Sequence, residues 1–132
     1  MSTPPSLLVR VMLVAVGGAL GALARYGTAT AVLRIWTHPL PLATWAANLV
    51  GCLLIGVLTA YLNRVWPSTT AYYLLVVGFL GSYTTFSTFS LETVALWEQG
   101  HWALALVNSL GSVVLGILCA ALGLYLGRLW SA

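Results

Sequence analysis

Long apolar stretches separated by short polar joins dominate the pattern along the chain. Four stretches reach the roughly 20 residues that a helix needs to cross a hydrocarbon core of about 30 Å. They are residues 8–33, 42–62, 71–97 and 102–126. The joins between them contain proline, histidine, glycine or polar side chains. The pattern predicts an all-α membrane protein with four transmembrane helices, in a single integral-membrane domain that covers residues 1–132.

The composition excludes most other classes of protein. Hydrophobic residues make up 61% of the 132-residue chain, and charged residues make up only 5%. A soluble domain carries about a quarter charged residues, because its surface must face water. The net charge of +3 comes from only five arginines and two glutamates, which is too few for a basic surface that binds nucleic acid. A soluble enzyme, a disordered protein and a nucleic-acid binder are therefore excluded.

The first stretch also has features of a secretory signal peptide. Arg10 precedes an apolar run, and Ala22, Leu23 and Ala24 match a small-residue cleavage site. Against this alternative, apolar residues resume beyond this point as far as Leu33. We therefore expect the first stretch to be retained as a membrane span.

Tryptophans and arginines bear on how the spans sit in a membrane. The six tryptophans lie near the ends of the stretches, which predicts aromatic belts at the two interfaces: Trp36, Trp45, Trp66, Trp97, Trp102 and Trp130. The arginines divide three to two between the two sides, which is a weak positive-inside bias: Arg10, Arg64 and Arg128 against Arg25 and Arg34. Orientation is therefore undecided, and insertion both ways round stays open.

Glycines recur at the spacing of helix contact faces. Gly17 with Gly21, and Gly123 with Gly127, each form a pair of small residues four apart. In lipid, such pairs let helix backbones approach closely. They predict packed helices, either within one chain or between chains.

The third stretch is abnormal because hydroxyl side chains crowd its middle, from residue 82 to residue 90. One structure that fits is a continuous helix whose hydroxyls bond to the carbonyls one turn back. The other is a helix broken near the membrane midplane, where the backbone would have to be buried in protein or line a watery cavity. Carbonyls freed at such a break could bind a cation.

The residues around this segment could bind an anion without a fixed positive charge. Phe86 and Phe89 are three apart, hence on one helical face, and the edge of an aromatic ring is electropositive. Neutral donors occur in the neighbouring stretches, in pairs spaced four apart that place both members on one face: Thr44 with Asn48, and Asn108 with Ser112. Together they predict a shared polar pathway through the protein.

Two charged residues also lie inside the stretches. Arg25 could snorkel to an interface, or it could draw anions towards the mouth of a polar pathway. Glu92 could cap, pair with another group or carry protons.

The same residues give the chain a resemblance to a known family. It resembles the fluoride channel family of small four-span membrane proteins, also called Fluc or CrcB, along residues 17–26, 44–51 and 78–92. The most specific part of the resemblance is a glycine-rich turn followed by a hydroxyl-phenylalanine run: Gly78, Phe79, Leu80, Gly81, then Thr84, Thr85, Phe86, Ser87, Thr88, Phe89, Ser90 and Glu92.

The resemblance implies an architecture and an activity. It implies an antiparallel, dual-topology homodimer in the inner cell membrane, surrounded by lipid, with two pores built from both subunits. It implies passive export of fluoride, which lowers cytoplasmic fluoride. It also implies a third helix broken near the membrane midplane, with a structural Na⁺ at the dimer centre held at the breaks by the backbone carbonyls of Gly81 and Thr84.

The resemblance also assigns roles to pore residues. Phe86 and Phe89 match ring edges that contact the ion, Asn48 matches a pore amide and Ser112 a pore hydroxyl. Thr88 and Thr44 match secondary pore hydroxyls. Arg25 matches an arginine of the vestibule.

Two other classes of function stay open on the sequence alone. A small multidrug-type, proton-coupled transporter would need a carboxylate in its substrate chamber, usually in the first span, where only Arg10 and Arg25 are charged. A non-transporting structural subunit would be favoured only by absent ion flux and a co-purifying partner.

Overall fold

The computed structural model describes residues 5–130, so the first four and last two residues of the expected 1–132 domain lie outside the described residues. Within residues 5–130 the chain is all-helical and forms no strand. Four helical segments are long and apolar enough to cross a membrane. Their bounds are Leu7–Leu33, Leu42–Arg64, Thr69–Glu98 and Trp102–Trp130. The prediction of a four-span, all-α protein is confirmed.

The third of these segments consists of two half-helices, so residues 5–130 form five helices by our numbering. These are α1 (Leu7–Leu33), α2 (Leu42–Arg64), α3 (69–83), α4 (Phe86–Glu98) and α5 (Trp102–Trp130). Ser6 caps the start of α1, where its hydroxyl accepts from the Val9 N–H. Ser68 caps the start of α3, where its hydroxyl accepts from the Ala71 N–H. Short polar side chains at these positions satisfy backbone donors that a helix start leaves unpaired.

The break between α3 and α4 lies at Thr84 and Thr85, near the centre of the 30-residue segment. Thr84 has ψ 156° and Thr85 has φ −148°, so both residues are extended. Of the two structures that the sequence left open, the chain adopts the broken helix.

Two helices contain turns that are wider than an α-helix. In α3 the stretch Tyr72–Leu80 is π-helical, and in α5 the stretch Val107–Gly111 is π-helical. A π-helix bonds each carbonyl to the N–H five residues on, and such turns frequently lie at functional sites.

Glycines let the helices pack backbone against backbone. In the contact of α1 with α3, a methyl group added at Gly17 or Gly21 would collide with the carbonyl oxygen of Leu74 or Phe79. In the contact of α2 with α5, a methyl group at Gly123 would collide with the Leu53 carbonyl. The predicted contact faces exist, and these glycines are used inside the chain.

Large apolar side chains cover the outside of the molecule, as expected where lipid is the solvent. Trp66, Trp97, Trp102 and Trp130 are exposed among them. Trp45 differs from the expected interfacial position, because its indole N–H donates to a side chain inside the protein, the amide oxygen of Asn108, at 2.6 Å. A buried acceptor replaces the water that an interfacial indole would find.

Candidate functional site

One side chain holds the break in the third segment. The Oδ1 atom of Asn48 accepts from the Thr85 N–H at 2.7 Å, and its Nδ2 atom donates to the Thr85 carbonyl at 3.0 Å. Both backbone groups of an extended residue are thereby satisfied by α2. Because unpaired backbone groups are costly away from water, this pairing explains how the break persists inside a membrane protein.

The break also releases carbonyls at the end of α3, among them those of Gly81 and Thr84. In a continuing helix the Thr85 N–H would bond to the Gly81 carbonyl, but it donates to Asn48 instead. Likewise the Thr88 N–H donates to the Thr85 hydroxyl at 3.3 Å and not to the Thr84 carbonyl. These are the two carbonyls that the family resemblance assigns to a Na⁺ site. They lie at, or just after, the C-terminal and partially negative end of α3.

Thr85 joins the two half-helices and takes part in most of the bonds at the break. Its hydroxyl caps α4 by accepting from the Thr88 N–H, and it donates to the Thr88 hydroxyl at 3.0 Å. The sequence analysis includes Thr85 in the hydroxyl-phenylalanine run but assigns it no role. The signal for it was present, since a threonine three residues before Thr88 is a good N-cap once a helix is known to start at Phe86.

The first of two cavities at the break, which we call the Phe cavity, has a volume of about 450 Å³. It brings together six of the predicted site residues: Asn48, Gly81, Thr84, Phe86, Phe89 and Ser112. All the residues that line it are uncharged. The rings of Phe86 and Phe89 are tilted by 44° with centroids 5.5 Å apart. Phe86 is 78% exposed, so the cavity opens on the outer surface of the chain.

The second cavity, which we call the Arg cavity, has a volume of about 410 Å³ and lies between the first join, α1, α2 and α4. It contains the other three predicted site residues: Arg25, Thr44 and Thr88. Thr88 and Thr44 therefore do not face the Phe cavity. Thr85 lines both cavities and is the residue through which they adjoin.

Arg25 crosses from α1 to the end of α3. Its Nε donates to the Ser82 carbonyl at 3.1 Å, which is one of the carbonyls that a helix end leaves without an intrahelical partner. A cation here also interacts favourably with the helix dipole. The rest of the guanidinium lines the Arg cavity, where it contributes a positive charge.

Glu92 also lies in the Arg cavity, and the sequence reasoning gave it no firm role. Thr44 is buried, and its hydroxyl donates to Oε1 of Glu92 at 2.8 Å. The second oxygen, Oε2, is buried and has no hydrogen-bond partner among residues 5–130. The proton of Thr44 is thus committed to Glu92 in this arrangement.

The expected pairing of Asn108 with Ser112 in one polar pathway does not appear in either cavity. Ser112 lines the Phe cavity, whereas Asn108 is 0% exposed and bonds to Trp45 and Thr93. Asn108 is therefore used to connect helices and contributes no donor to the Phe cavity.

A family model described as "CrcB-like protein, Camphor Resistance (CrcB)" matches residues 12–124. The chain belongs to the CrcB family. The matched range includes both half-helices. It also includes all the predicted site residues that line the two cavities.

Curated relatives agree with membership of the CrcB family over nearly their full length. A protein of Magnetococcus marinus is 44% identical over 122 residues, which is 92% of this chain and 99% of the relative. One of Paracoccus denitrificans is 47% identical over 115 residues (87% and 91%), and one of Stutzerimonas stutzeri is 48% identical over 117 residues (88% and 94%). Each of these three relatives is named a fluoride-specific ion channel.

Proposed function

We propose that this multi-pass membrane protein is a fluoride-selective channel that exports fluoride passively across the inner cell membrane. The observation that carries the proposal is the Phe cavity, in which the Phe86 and Phe89 rings adjoin the Asn48 amide and the Ser112 hydroxyl. Relatives named fluoride-specific ion channels support the choice of ion. The proton-coupled transporter is not favoured by any of these names.

The chemistry of the Phe cavity suits a small, strongly hydrated anion. Such an ion gives up its water only where hydrogen-bond donors or electropositive groups replace it. Ring edges, a hydroxyl and the amide N–H₂ supply those contacts without a positive charge that would hold the ion too tightly to leave. The Arg cavity acts as the vestibule, where Arg25 attracts anions, and Thr44 and Thr88 are secondary hydroxyls of the pathway.

A second copy of the chain would complete the pore. Phe86 lines the Phe cavity and is also 78% exposed, so one side of this cavity is not covered by the chain itself. An antiparallel, dual-topology homodimer would close it and would create two equivalent pores. The near balance of arginines between the two sides supports insertion in both orientations.

A structural Na⁺ at the dimer centre fits the oxygens at the break. The carbonyls of Gly81 and Thr84 have lost their helical donors, because the Thr85 and Thr88 N–H groups bond elsewhere. Hard cations take oxygen ligands, and unwound backbone beside a half-helix C-terminus is a recurrent Na⁺ site. Two carbonyls from each of two copies would hold the ion, which would fix the half-helices against each other.

Ion efflux from liposomes that contain the purified protein tests the proposal. Fluoride release should greatly exceed chloride release, and Phe86→Ile and Phe89→Ile should each abolish fluoride release. Phe79→Ile is the matched control. Phe79 is the one phenylalanine of the sequence besides Phe86 and Phe89, and it stacks on Tyr83 and does not line the Phe cavity. Equal release of the two ions, or full fluoride release by both cavity variants, would overturn the proposal.

A further inference from the structure

A chain of three side chains connects α2 to the half-helix that carries the phenylalanine pair. The Trp45 indole N–H donates to Oδ1 of Asn108 at 2.6 Å, and Nδ2 of Asn108 donates to the Thr93 hydroxyl at 2.8 Å. The Thr93 hydroxyl donates in turn to the backbone carbonyl of Phe89, also at 2.8 Å. The bonds run head to tail, so each one polarises the next.

The partners fix the orientation of the Asn108 amide. An indole N–H can only donate, so the amide oxygen must face Trp45 and the amide nitrogen must face Thr93. Asn108 is 0% exposed, and no water competes for its bonds. A buried amide satisfied on both sides has one stable position, because any shift of α2, α4 or α5 would leave a polar group unpaired.

The half-helix α4 needs such a restraint. It has only 13 residues, and the break at Thr84 and Thr85 disconnects it from the hydrogen-bond ladder of α3. Asn48 holds its N-terminal end, at Thr85. One attachment would still let α4 swing about that point, since short helices owe their position to tertiary contacts.

The Trp45–Asn108–Thr93 chain supplies a second attachment. Thr93 is eight residues beyond Thr85, or about 12 Å further along the helix axis. Trp45 and Asn48 are three residues apart on α2 and therefore lie on the same face. Helix α2 is thus bonded to α4 at two points, once directly and once through α5. Phe86 and Phe89 lie between these two points.

We infer that Asn108 is a positioning residue for ion selection: through Thr93 and the Phe89 carbonyl, it sets where the two phenylalanine rings stand relative to Asn48 and Ser112. This inference rests on the proposed function. The Asn108 side chain does not line either cavity, so its influence on the pathway is indirect. Its effect is on the placement of α4, so disturbing it should alter the discrimination between anions as well as the rate.

Liposome efflux of fluoride and chloride from the full-length protein tests this role, with Thr93 as the most informative site. Thr93→Val keeps the shape but removes the hydroxyl, and we expect fluoride efflux to fall about tenfold and the fluoride-to-chloride ratio to fall with it. Thr93→Ser keeps the hydroxyl and should remain within about twofold of the wild type in both quantities. A side chain that matters only for folding would not move the ratio of the two ions.

A triple variant guards against loss of folding. Trp45→Phe, Asn108→Leu and Thr93→Val together remove all three polar side chains, and no buried amide is left unpaired. We expect this protein to elute in detergent as the wild type does, yet to show slow and poorly selective fluoride efflux.

The other possible results of these efflux measurements would contradict either the inference or the proposed function. Wild-type selectivity in Thr93→Val or in the triple variant would overturn the inference, as would a loss in Thr93→Ser equal to that in Thr93→Val. Misfolding of the triple variant would also overturn it, because the chain of bonds would then be needed only for folding. Absence of fluoride efflux from the wild type would instead overturn the proposed function.

Discussion

Asn48 holds both hydrogen-bonding groups of the Thr85 backbone, with 2.7 Å from the Thr85 nitrogen to Oδ1 and 3.0 Å from Nδ2 to the Thr85 oxygen. One amide on α2 therefore satisfies the backbone N–H and C=O of Thr85, which a neighbouring strand or a helical turn would otherwise satisfy. The break in the third segment, the release of the Gly81 and Thr84 carbonyls and the start of α4 all depend on this pairing.

Replacing Asn48 should collapse the break. In Asn48→Ala both backbone groups of Thr85 lose their partner, and a buried unpaired group costs about 1–3 kcal/mol. We expect fluoride efflux to fall to background and the thermal midpoint in detergent to drop. Asn63→Ala is the matched control, because Asn63 lies on the same helix at an exposed position. An Asn48→Ala channel with normal efflux would show that the break does not need the amide.

Helix packing should be sensitive to one methyl group at Gly123. In Gly123→Ala the new carbon would collide with the Leu53 carbonyl, which is backbone and cannot move aside alone. Overpacking of this kind costs about 1–3 kcal/mol, so the thermal midpoint of the purified protein should fall. Gly27→Ala is the control, since nothing lies within 4 Å of a carbon added there. That variant should be as stable as the wild type or slightly more so, because alanine favours a helix by about 1 kcal/mol over glycine.

The bond between Thr44 and Glu92 should matter for conduction. Thr44→Val removes the donor to Oε1 and leaves a carboxyl group whose two oxygens both lack a partner among the described residues. We expect fluoride efflux to decline about tenfold, which corresponds to the loss of one hydrogen bond of about 1.4 kcal/mol. Thr44→Ser retains the hydroxyl and should stay near the wild-type rate. Equal rates for Thr44→Val and Thr44→Ser would show that the Thr44 hydroxyl has no part in conduction.

The charge of Arg25 should act mainly at low ionic strength. Screening lengths are about 30 Å at 0.01 M salt and about 8 Å at 0.15 M, so attraction of anions to the Arg cavity weakens as salt rises. The ratio of wild-type to Arg25→Gln fluoride efflux should therefore be larger in dilute salt. Arg64→Gln, at the exposed far end of α2, should show a smaller dependence. The comparison is made on liposomes whose external salt alone is varied.

Hydropathy was enough to predict the four spans, because their length and apolarity are fixed by the thickness of a bilayer. It could not choose between a broken and a continuous third helix, since both have the same composition. That choice depends on Asn48, whose amide stabilises the extended Thr85 backbone from another helix. A pairing between residues 37 positions apart leaves no local signal in a single sequence.

The candidate site was predicted in its parts better than in its arrangement. The α-helical spacing rule placed Asn108 beside Ser112 in one pathway, but Asn108 is buried between Trp45 and Thr93 while Ser112 lines the Phe cavity. The sequence also treated the pore residues as one group, whereas Thr44 and Thr88 lie in a different cavity from Phe86 and Phe89. Assigning side chains to separate cavities requires the rotation of each helix, and apolarity on all faces conceals that rotation in a membrane protein.

The position of Thr85 in the walls of both cavities has a consequence for ion traffic. Thr85 lines both cavities, so an anion in contact with Thr85 in one cavity would repel an anion in contact with it in the other. Unit charges about 4 Å apart repel by about 4 kcal/mol in a medium of dielectric near 20. An ion arriving in one chamber would therefore lower the hold of the other chamber on its occupant, and tight binding and rapid passage could coexist.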